Sequence, residues 1–376
     1  MENFFNYIEE YGDYTFEEKE LNEVDMTIFS QLPYLEYEKV TKKIFKDGIS
    51  IKNVAKKLKK INYSNILGVL VPDTILPMFY LLSEKTRYKN LVLTDYQNLI
   101  SKNDVKQFCA LTIIINDKTK VVSYCGTDDT IVGWEENFNL LYLTETPSQK
   151  CGKEYLNMAS KGYKGKIYVT GHSKGGNLSF YSALHSNHFA KNKLAAVFSI
   201  DGPGLSQKDA KKLAKLENFD IFYSYITECA IIGKLFENTA KTIVCKSSNK
   251  GIYQHDTFSW EIENDHFVRC DSVNVCSESI NSTIKGIIDT MSDDDRKNFC
   301  NSISKILSFA DADNLRDIKF QHAVEIIKGY FKINTDERKL LRKIALKMMK
   351  DKYLRKVFID CIIDYTKHNQ QQLNKK

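Results

Sequence analysis

The sequence predicts an α/β fold in which helices cover both faces of a mostly parallel sheet. From about residue 107 to residue 248, short apolar runs rich in β-branched residues alternate with segments of helical period. The chain contains only five prolines and no internal repeat, so this alternation is its dominant pattern. Strands that alternate with helices are joined by crossover connections, which produce a parallel sheet covered on both faces.

Residues 1–100 are predicted to form an N-terminal helical layer that packs on the core. The stretches NEVDMTIFSQLPYL and ISIKNVAKKLKKI each place apolar residues at helical spacing. The most apolar run of the chain, residues 66–82, contains Asp73 and two prolines. This composition favours buried structure over a membrane span.

Residues 101–276 are predicted to form the α/β core, and residues 277–376 a C-terminal helical extension. The predicted strands of the core are FCALTIII, KVVSYCG, KIYVT, AAVFSI, DIFYSYI and KTIVCKSS. Helices are expected near 149–160, from about 176, near 206–216 and near 230–240. The extension includes a long basic amphipathic stretch from Glu337 to Tyr365.

Composition excludes several classes of function. The formal net charge of +6 is modest and is spread over lysine-rich helices, which does not indicate a nucleic-acid-binding surface. The nine cysteines form no Cys-x-x-Cys pair and no metal-like cluster with the histidines. The N-terminal stretch MENFFNYIEEYGDY carries acids where a secretory signal would carry basic residues. We therefore expect a cytoplasmic protein.

A candidate nucleophile lies where a predicted strand turns into a predicted helix. In IYVTGHSKGGNLSF, residues 167–180, the motif Gly171-x-Ser173-x-Gly175 follows an apolar strand and precedes a helical pattern. The glycines let the strand and helix backbones approach around a strained turn, with the serine hydroxyl exposed at its apex. A glycine-rich loop can contain this motif by chance, but the flanking strand and helix favour catalysis. We predict that Ser173 is a nucleophile for acyl transfer.

The general base is expected later in the sequence than the serine, because hydrolases with this strand-turn-helix element carry their catalytic residues in the order Ser, Asp or Glu, His. His255 lies in a polar loop after the last predicted parallel strand and is the favoured base; an ordinary hydrogen-bonded loop histidine is the alternative. The other histidines lie beside the serine, at the end of the next helix, in a later strand-like segment or in the helical tail: His172, His185, His188, His266, His322 and His368.

Three carboxylates compete to orient this histidine. Asp201 ends the strand AAVFSI and precedes a Gly-Pro-Gly turn, so its carboxylate should emerge at the same sheet edge as Ser173. Glu228 ends the next strand and is the main rival. Asp256 follows the histidine directly and is expected to be solvated. We predict Asp201 as the orienting acid, with Glu228 as the alternative.

Backbone amides on two elements are predicted to stabilise an oxyanion. The amide of Lys174 follows the nucleophile at the start of a helix, where backbone dipoles are positive. In SYCGTDDTIVGW, Gly126 closes a strand and leaves the amides near Thr127 and Asp128 free. An ordinary acidic turn is the alternative interpretation of this loop.

Four motifs, in this order, resemble a bacterial family of lipase-like α/β hydrolases: SYCGTDDTIVGWEENFN, VTGHSKGGNLSFYSA, FSIDGPG and QHDTFSW. That family is distantly similar to the class 3 triacylglycerol lipases. The resemblance runs from FFNYIEEYGDYTFEE to about residue 310. It implies an α/β-hydrolase-like fold with Ser173 as nucleophile and His255 as base. It also matches Thr127 to the oxyanion residue of the lipases' Arg-Gly-Ser/Thr motif.

The chain departs from the lipase pattern at two positions. Cys125 stands where the Arg-Gly-Ser/Thr motif has its arginine, and Ala230 stands where class 3 lipases carry their acid. Asp201 instead occupies a position that resembles the acid of pancreatic-type lipases. These departures motivate an alternative hypothesis, a catalytically degenerate hydrolase-fold protein that binds lipid or acts as a scaffold.

The leading hypothesis is a serine esterase or lipase that cleaves a carboxylic ester of a lipid or smaller substrate through an acyl-enzyme intermediate. This chemistry needs neither a metal nor an organic cofactor. In the extension, the stretch ERKLLRKIALKMMKDKYLRKVF alternates apolar positions with lysines and arginines, as in helices that lie on anionic membranes. The alternative is a helix that packs its apolar face on neighbours and keeps its lysines in water.

Overall fold

The strands of the central sheet lie side by side in the order of the chain. The computed structural model describes residues 2–61, 73–314 and 320–360. Strands β1 to β8, followed by β11, form one sheet, whereas β9 and β10 form a separate hairpin. The strands are β1 (Ile49–Ser50), β2 (Val92–Ser101), β3 (Lys106–Asn116), β4 (Thr119–Tyr124), β5 (Lys166–His172), β6 (Leu194–Ile200), β7 (Phe222–Thr227), β8 (Lys241–Cys245), β9 (Ile262–Glu263), β10 (His266–Phe267) and β11 (Arg269–Cys270).

The sheet is parallel in its centre and antiparallel at both ends. Strands β4 to β8 pair in parallel. Strands β1 to β4, and β8 with β11, pair antiparallel. FCALTIII and KVVSYCG are therefore joined as a hairpin rather than by a crossover. Strand β2 lies where the sequence pattern predicts mainly helix. The strand period is obscured there by polar residues and by a bulge between Thr94 and Gln97.

The core helices predicted near 149–160, from about 176 and near 206–216 are present, whereas α5 (Ile131–Asn139) lies where no helix was predicted. Near 230–240 only the 3-10 turn Ile232–Lys234 is present, so the helix predicted there is wrong. This segment instead passes the Asp201 carboxylate, since a Cβ at Gly233 would lie 2.2 Å from Oδ1. The helices are α1 (Phe4–Tyr11), α2 (Glu23–Gln31), α3 (Ile51–Lys60), α4 (Ile75–Leu82), α5 (Ile131–Asn139), α6 (Pro147–Ser160), α7 (Lys174–His185), α8 (His188–Lys191), α9 (Gln207–Leu213), α10 (Val275–Asp289), α11 (Asp293–Ser308), α12 (Phe320–Lys332) and α13 (Thr335–Lys350).

Helices cover both faces of the sheet, and each face has its own hydrophobic core. One core joins the N-terminal helices α1 to α4 to the sheet. The other joins α6 to α9 to the opposite face. Sequential parallel strands with crossovers of one hand place all connecting helices on the same face, which leaves the other face to the N-terminal helices. The chain therefore has an α/β-hydrolase-like fold.

The apolar run at 66–82 is described only in part, since residues 66–72 lie outside the described residues. The remainder contains α4, whose apolar side chains face the core. None of the helices within the described ranges combines the length and the apolar character that crossing a membrane requires.

The C-terminal helices meet the core through α11, which packs against α5. The rings of Phe299 and Phe138 meet edge to face with centroids 6.1 Å apart. The amide of Ile131 donates to the Asp313 carbonyl at 2.9 Å. In α13, Ile344 is buried, so this helix turns its main apolar face inward. Residues 361–365 of the predicted basic stretch lie outside the described residues.

Candidate active site

The residues predicted to act together follow the carboxyl ends of the parallel strands. Gly126 lies just after β4, Ser173 directly follows β5 and Asp201 directly follows β6. His255 lies in the loop after β8, at the end of a 3-10 turn. Carboxyl ends of parallel strands share one edge of the sheet, where α/β proteins commonly hold their ligands.

Ser173 is held on a strained turn between β5 and α7. Its backbone φ of +56° and ψ of −127° lie in a region that residues other than glycine rarely adopt. Its amide donates to the Ile200 carbonyl at 2.9 Å. A Cβ at Gly171 would lie 2.2 Å from the Gly175 carbonyl oxygen, and a Cβ at Gly175 equally close to the Tyr124 oxygen. Only glycine therefore fits at these two positions, as the predicted elbow requires.

Asp201 and His255 are in direct contact. The distance between His255 Nδ1 and Asp201 Oδ2 is 2.6 Å, with the Asp201 side chain 1% exposed and the His255 side chain 24% exposed. An ionised carboxylate can only accept, so this contact places the ring hydrogen on Nδ1 and leaves Nε2 free to accept a proton. Within the described residues, the Ser173 hydroxyl forms no hydrogen bond with this ring.

The two rival carboxylates bind elsewhere. Glu228 accepts a hydrogen bond from Gln254 Nε2 at 3.4 Å, one residue before the histidine, and does not contact the imidazole. Asp256 caps its own 3-10 turn by accepting from the Phe258 amide at 3.0 Å. Burial raises the pKa of Asp256. Asp256 is thus partly buried in a local turn rather than solvated.

His172 contacts the candidate base, although its place beside Ser173 in the sequence does not predict this contact. The His172 and His255 ring centroids are 4.5 Å apart. His172 Nε2 lies 3.0 Å from the His255 carbonyl oxygen, and Nδ1 lies 3.3 Å from Tyr34 Oη. Burial, and secondly the neighbouring His255, lower the pKa of His172 well below its usual value. The neutral ring therefore donates from Nε2 to the His255 carbonyl and accepts the Tyr34 hydroxyl hydrogen at Nδ1.

The loop after β4 lies against the nucleophile. A Cβ at Gly126 would lie 2.1 Å from Tyr34 Oη and 3.1 Å from Ser173 Cβ. Tyr34 is buried, and no local sequence pattern connects it with a strand end that follows 138 positions later. The absence of a side chain at Gly126 thus lets this loop pack closely against both Tyr34 and Ser173.

The oxyanion donors predicted from the sequence are the backbone amides of Thr127 and Lys174. The backbone N–H groups of Thr127 and Lys174 have no acceptor in the part of the chain that the structure describes. The Thr127 hydroxyl accepts from Asn137 Nδ2 on α5 at 2.7 Å, which connects the loop to that helix. Free amides beside a nucleophile are the donors that a developing oxyanion needs.

Comparison with known proteins gives one family and a distant structural likeness. A sequence model described as Mbeg1-like matches residues 82–305. A solved structure titled "Crystal structure of M37 lipase" is 16% identical, with 56% of this chain and 68% of that chain covered and a TM-score of 0.33. None of the curated proteins compared with the chain matches it.

Proposed function

The chain belongs to the Mbeg1-like family, and from its lipase-like hydrolase fold we propose that it is a serine carboxylic-ester hydrolase. The contact between His255 Nδ1 and Asp201 Oδ2, beside the strained Ser173, carries this proposal. A buried carboxylate bound to the imidazole fixes its tautomer and stabilises the imidazolium that forms during acyl transfer. The partner is an ester substrate, either a lipid or a smaller molecule.

In the proposed reaction, Ser173 Oγ attacks the ester carbonyl carbon while its proton moves to His255 Nε2. The Thr127 and Lys174 amides stabilise the oxyanion of the tetrahedral intermediate. The histidine then gives the proton to the departing alcohol, which leaves an acyl-serine. Water repeats the sequence, with its proton passing to Nε2 and then to Ser173 Oγ as the carboxylic acid leaves. Apart from the ester and water, every group in these steps belongs to the chain.

Labelling with a fluorophosphonate, together with turnover of a p-nitrophenyl ester, tests the proposal. Wild type should be labelled and should hydrolyse the ester, whereas Ser173→Ala should do neither while remaining folded. Ser182→Ala is the matched control, because Ser182 is a buried serine near the far end of α7, the helix that begins directly after Ser173. Retained turnover in Ser173→Ala would exclude Ser173 as the nucleophile.

A non-catalytic, lipid-binding or scaffolding member of the hydrolase fold is the second candidate. It is favoured by the missing hydrogen bond between the Ser173 hydroxyl and the His255 ring among the described residues. The same experiment separates the two candidates, since a non-catalytic protein would be labelled in neither wild type nor variant. Apo enzymes can also lack this bond until substrate binds, so the labelling result decides.

A further inference from the structure

The lysine that follows the candidate nucleophile is buried in an ion pair. Lys174 Nζ lies 3.1 Å from Glu136 Oε2, with the two side chains 4% and 1% exposed. Nζ also donates to the backbone oxygen and to Oε1 of Gln107. All three ammonium hydrogens therefore have acceptors, which offsets the large desolvation cost of a buried charge.

Glu136 is equally well bound. Its Oε1 accepts from the Ser148 amide at 2.7 Å, and its Oε2 accepts from the Gln107 amide at 3.0 Å and the Ser148 hydroxyl at 2.6 Å. Gln107 Nε2 in turn lies 3.4 Å from the Gly126 carbonyl oxygen. The cluster thus connects α7, the start of β3, α5 and α6 with the loop after β4.

These contacts join the carriers of the two candidate oxyanion amides. Lys174 carries one amide in its own backbone, and Glu136 lies on α5, which directly follows the loop that carries Thr127. The Lys174 side chain is therefore ion-paired with α5, the helix that follows the Thr127 loop. The start of α7 also packs directly on the end of β4, just before that loop, since a Cβ at Gly175 would lie 2.2 Å from the Tyr124 oxygen.

We propose that Lys174, Glu136 and Gln107 are positioning residues that fix the distance between the Thr127 and Lys174 amides. This inference rests on the proposed ester hydrolysis. It also offers an account of Cys125: a cation contributed by Lys174, from the neighbouring element, anchors the loop where the lipase motif has arginine. An oxyanion hole works only when its donors are held in advance, and a displacement of about 1 Å can lower the rate by about 10²-fold.

The test removes both charges together, because a single change would leave one buried charge unpaired. We expect Lys174→Met/Glu136→Gln to lower kcat by about 10²-fold and to leave KM within about twofold, since the amides act on the transition state. The matched control is Lys153→Met/Glu145→Gln, which removes a 2.7 Å ion pair at α6 that lies outside the cluster. The control should retain wild-type kcat.

Hydrogen exchange of residues 126–139 gives a readout that does not depend on turnover. Exchange there should be faster in Lys174→Met/Glu136→Gln than in wild type and unchanged in the control. An unchanged kcat, an equal loss in the control, or a change in KM alone would overturn the inference. If wild type itself proves inert, the proposed function fails, and exchange alone then decides whether the ion pair anchors the loop.

A different observation concerns the outward face of the C-terminal extension. Opposite the buried Ile344, α13 presents one face that combines cations with two exposed apolar side chains: Lys339, Arg342, Lys343, Leu346, Lys347, Met349 and Lys350. Leu346 is 64% exposed at the centre of this face. On α12, Val324, Ile327 and Phe331 form a further exposed stripe at helical spacing, next to Lys328 and Lys332.

From this charge pattern we infer that the outward face of α13 binds the surface of an anionic lipid bilayer. Residues of α13 that face the core, such as Ile344, cannot contact a membrane. The inference therefore rests on the exposed residues of the outward face, and not on the apolar pattern that suggests membrane contact in the sequence. Leu346 and Met349 would enter the interface while the surrounding cations meet anionic headgroups, to which they are attracted electrostatically. Asp336 is the acid beside this face, and it is already paired with Lys339 at 3.2 Å.

Co-sedimentation with vesicles tests this inference on the full chain. Wild type should bind vesicles of phosphatidylcholine mixed with phosphatidylglycerol at least about tenfold more tightly than phosphatidylcholine alone, with loss at high salt. Arg342→Glu/Lys343→Glu should abolish the difference. Lys52→Glu/Lys56→Glu, the same charge change on the lysine-rich α3, should preserve it. Equal binding to both vesicles, or equal loss in the α3 control, would overturn the inference.

Discussion

The groups on the two sides of Ser173 differ in kind: side chains on one side and backbone amides on the other. On the acid–base side, side chains form a chain of hydrogen bonds from Asp201 to His255 and, through the His255 carbonyl, to His172 and Tyr34. On the proposed oxyanion side, the groups are the backbone amides of Thr127 and Lys174, which lie next to a close glycine contact and a buried ion pair. The first side therefore responds to titration and isosteric substitution. The second responds to packing.

The largest expected effect breaks the acid–base side. Asp201→Asn keeps the shape of the side chain but not its charge, so the ring loses its fixed tautomer, and kcat should fall by about 10⁴-fold. Glu228→Gln should change kcat by less than about threefold, because Glu228 binds Gln254 rather than the imidazole. Steady-state hydrolysis of a chromogenic ester measures both, with circular dichroism as the check on folding. A reversed order would transfer the role to Glu228.

A smaller effect is expected when the oxyanion side is overpacked. In Gly126→Ala, the new Cβ would lie 2.1 Å from Tyr34 Oη and 2.7 Å from the His172 carbonyl oxygen, so the loop must move. We expect kcat to fall by about 10²-fold with little change in KM. Gly286→Ala is the control, because a Cβ there meets no atom within 4 Å. Tyr34→Phe combined with Gly126→Ala should recover part of the loss, since the closest clashing atom is then absent.

The smallest effect sharpens the comparison through pH. Because the folded protein lowers the pKa of His172, the unfolded chain takes up this proton first as pH falls. The stability that neutral His172 contributes is therefore complete above about pH 6.5 and is lost at up to about 1.4 kcal/mol per pH unit as pH falls from there through the lowered pKa.

Urea unfolding at a series of pH values measures this contribution. His172→Gln should flatten the fall in the free energy of unfolding between about pH 6.5 and pH 5. His266→Gln should not, because His266 is exposed. Parallel pH profiles for wild type and His172→Gln would show that the ring does not stay neutral in the folded state.

The contacts of the candidate site that follow from local sequence can be predicted, whereas those between distant residues cannot. The Gly171-x-Ser173-x-Gly175 turn is local, and the strand before Asp201 makes its position at the sheet edge predictable. The sequence predicts a role only for the Lys174 amide, because the partners of its side chain are distant: Glu136 lies 38 positions earlier and Gln107 lies 67 earlier. Neither spacing matches a helix or strand period.

The fold shows the same division. Alternating apolar runs predicted the parallel strands, whose two buried faces leave nearly continuous apolar sequences. Strand β2 was not predicted, because a bulge at Asp95, with a φ of +55°, and several polar residues interrupt its alternating pattern. The helix expected near 230–240 failed because tertiary contacts override propensity: Glu237 forms an isolated bridge with Leu205, and Gly233 is pressed against the Asp201 carboxylate.

The sequential strand order has a consequence for how the chain acquires its fold during synthesis. Each strand from β2 to β8 joins the edge left by its predecessor, so a chain emerging from the ribosome can extend the sheet without inserting a strand between two others. The closing contacts come much later: the Glu2 bridge to Ile262 and the Arg269 ion pair with Glu23, 246 positions apart. Contacts of long sequence separation form slowly. We therefore expect the nascent chain to hold an open sheet edge until β11 has been made.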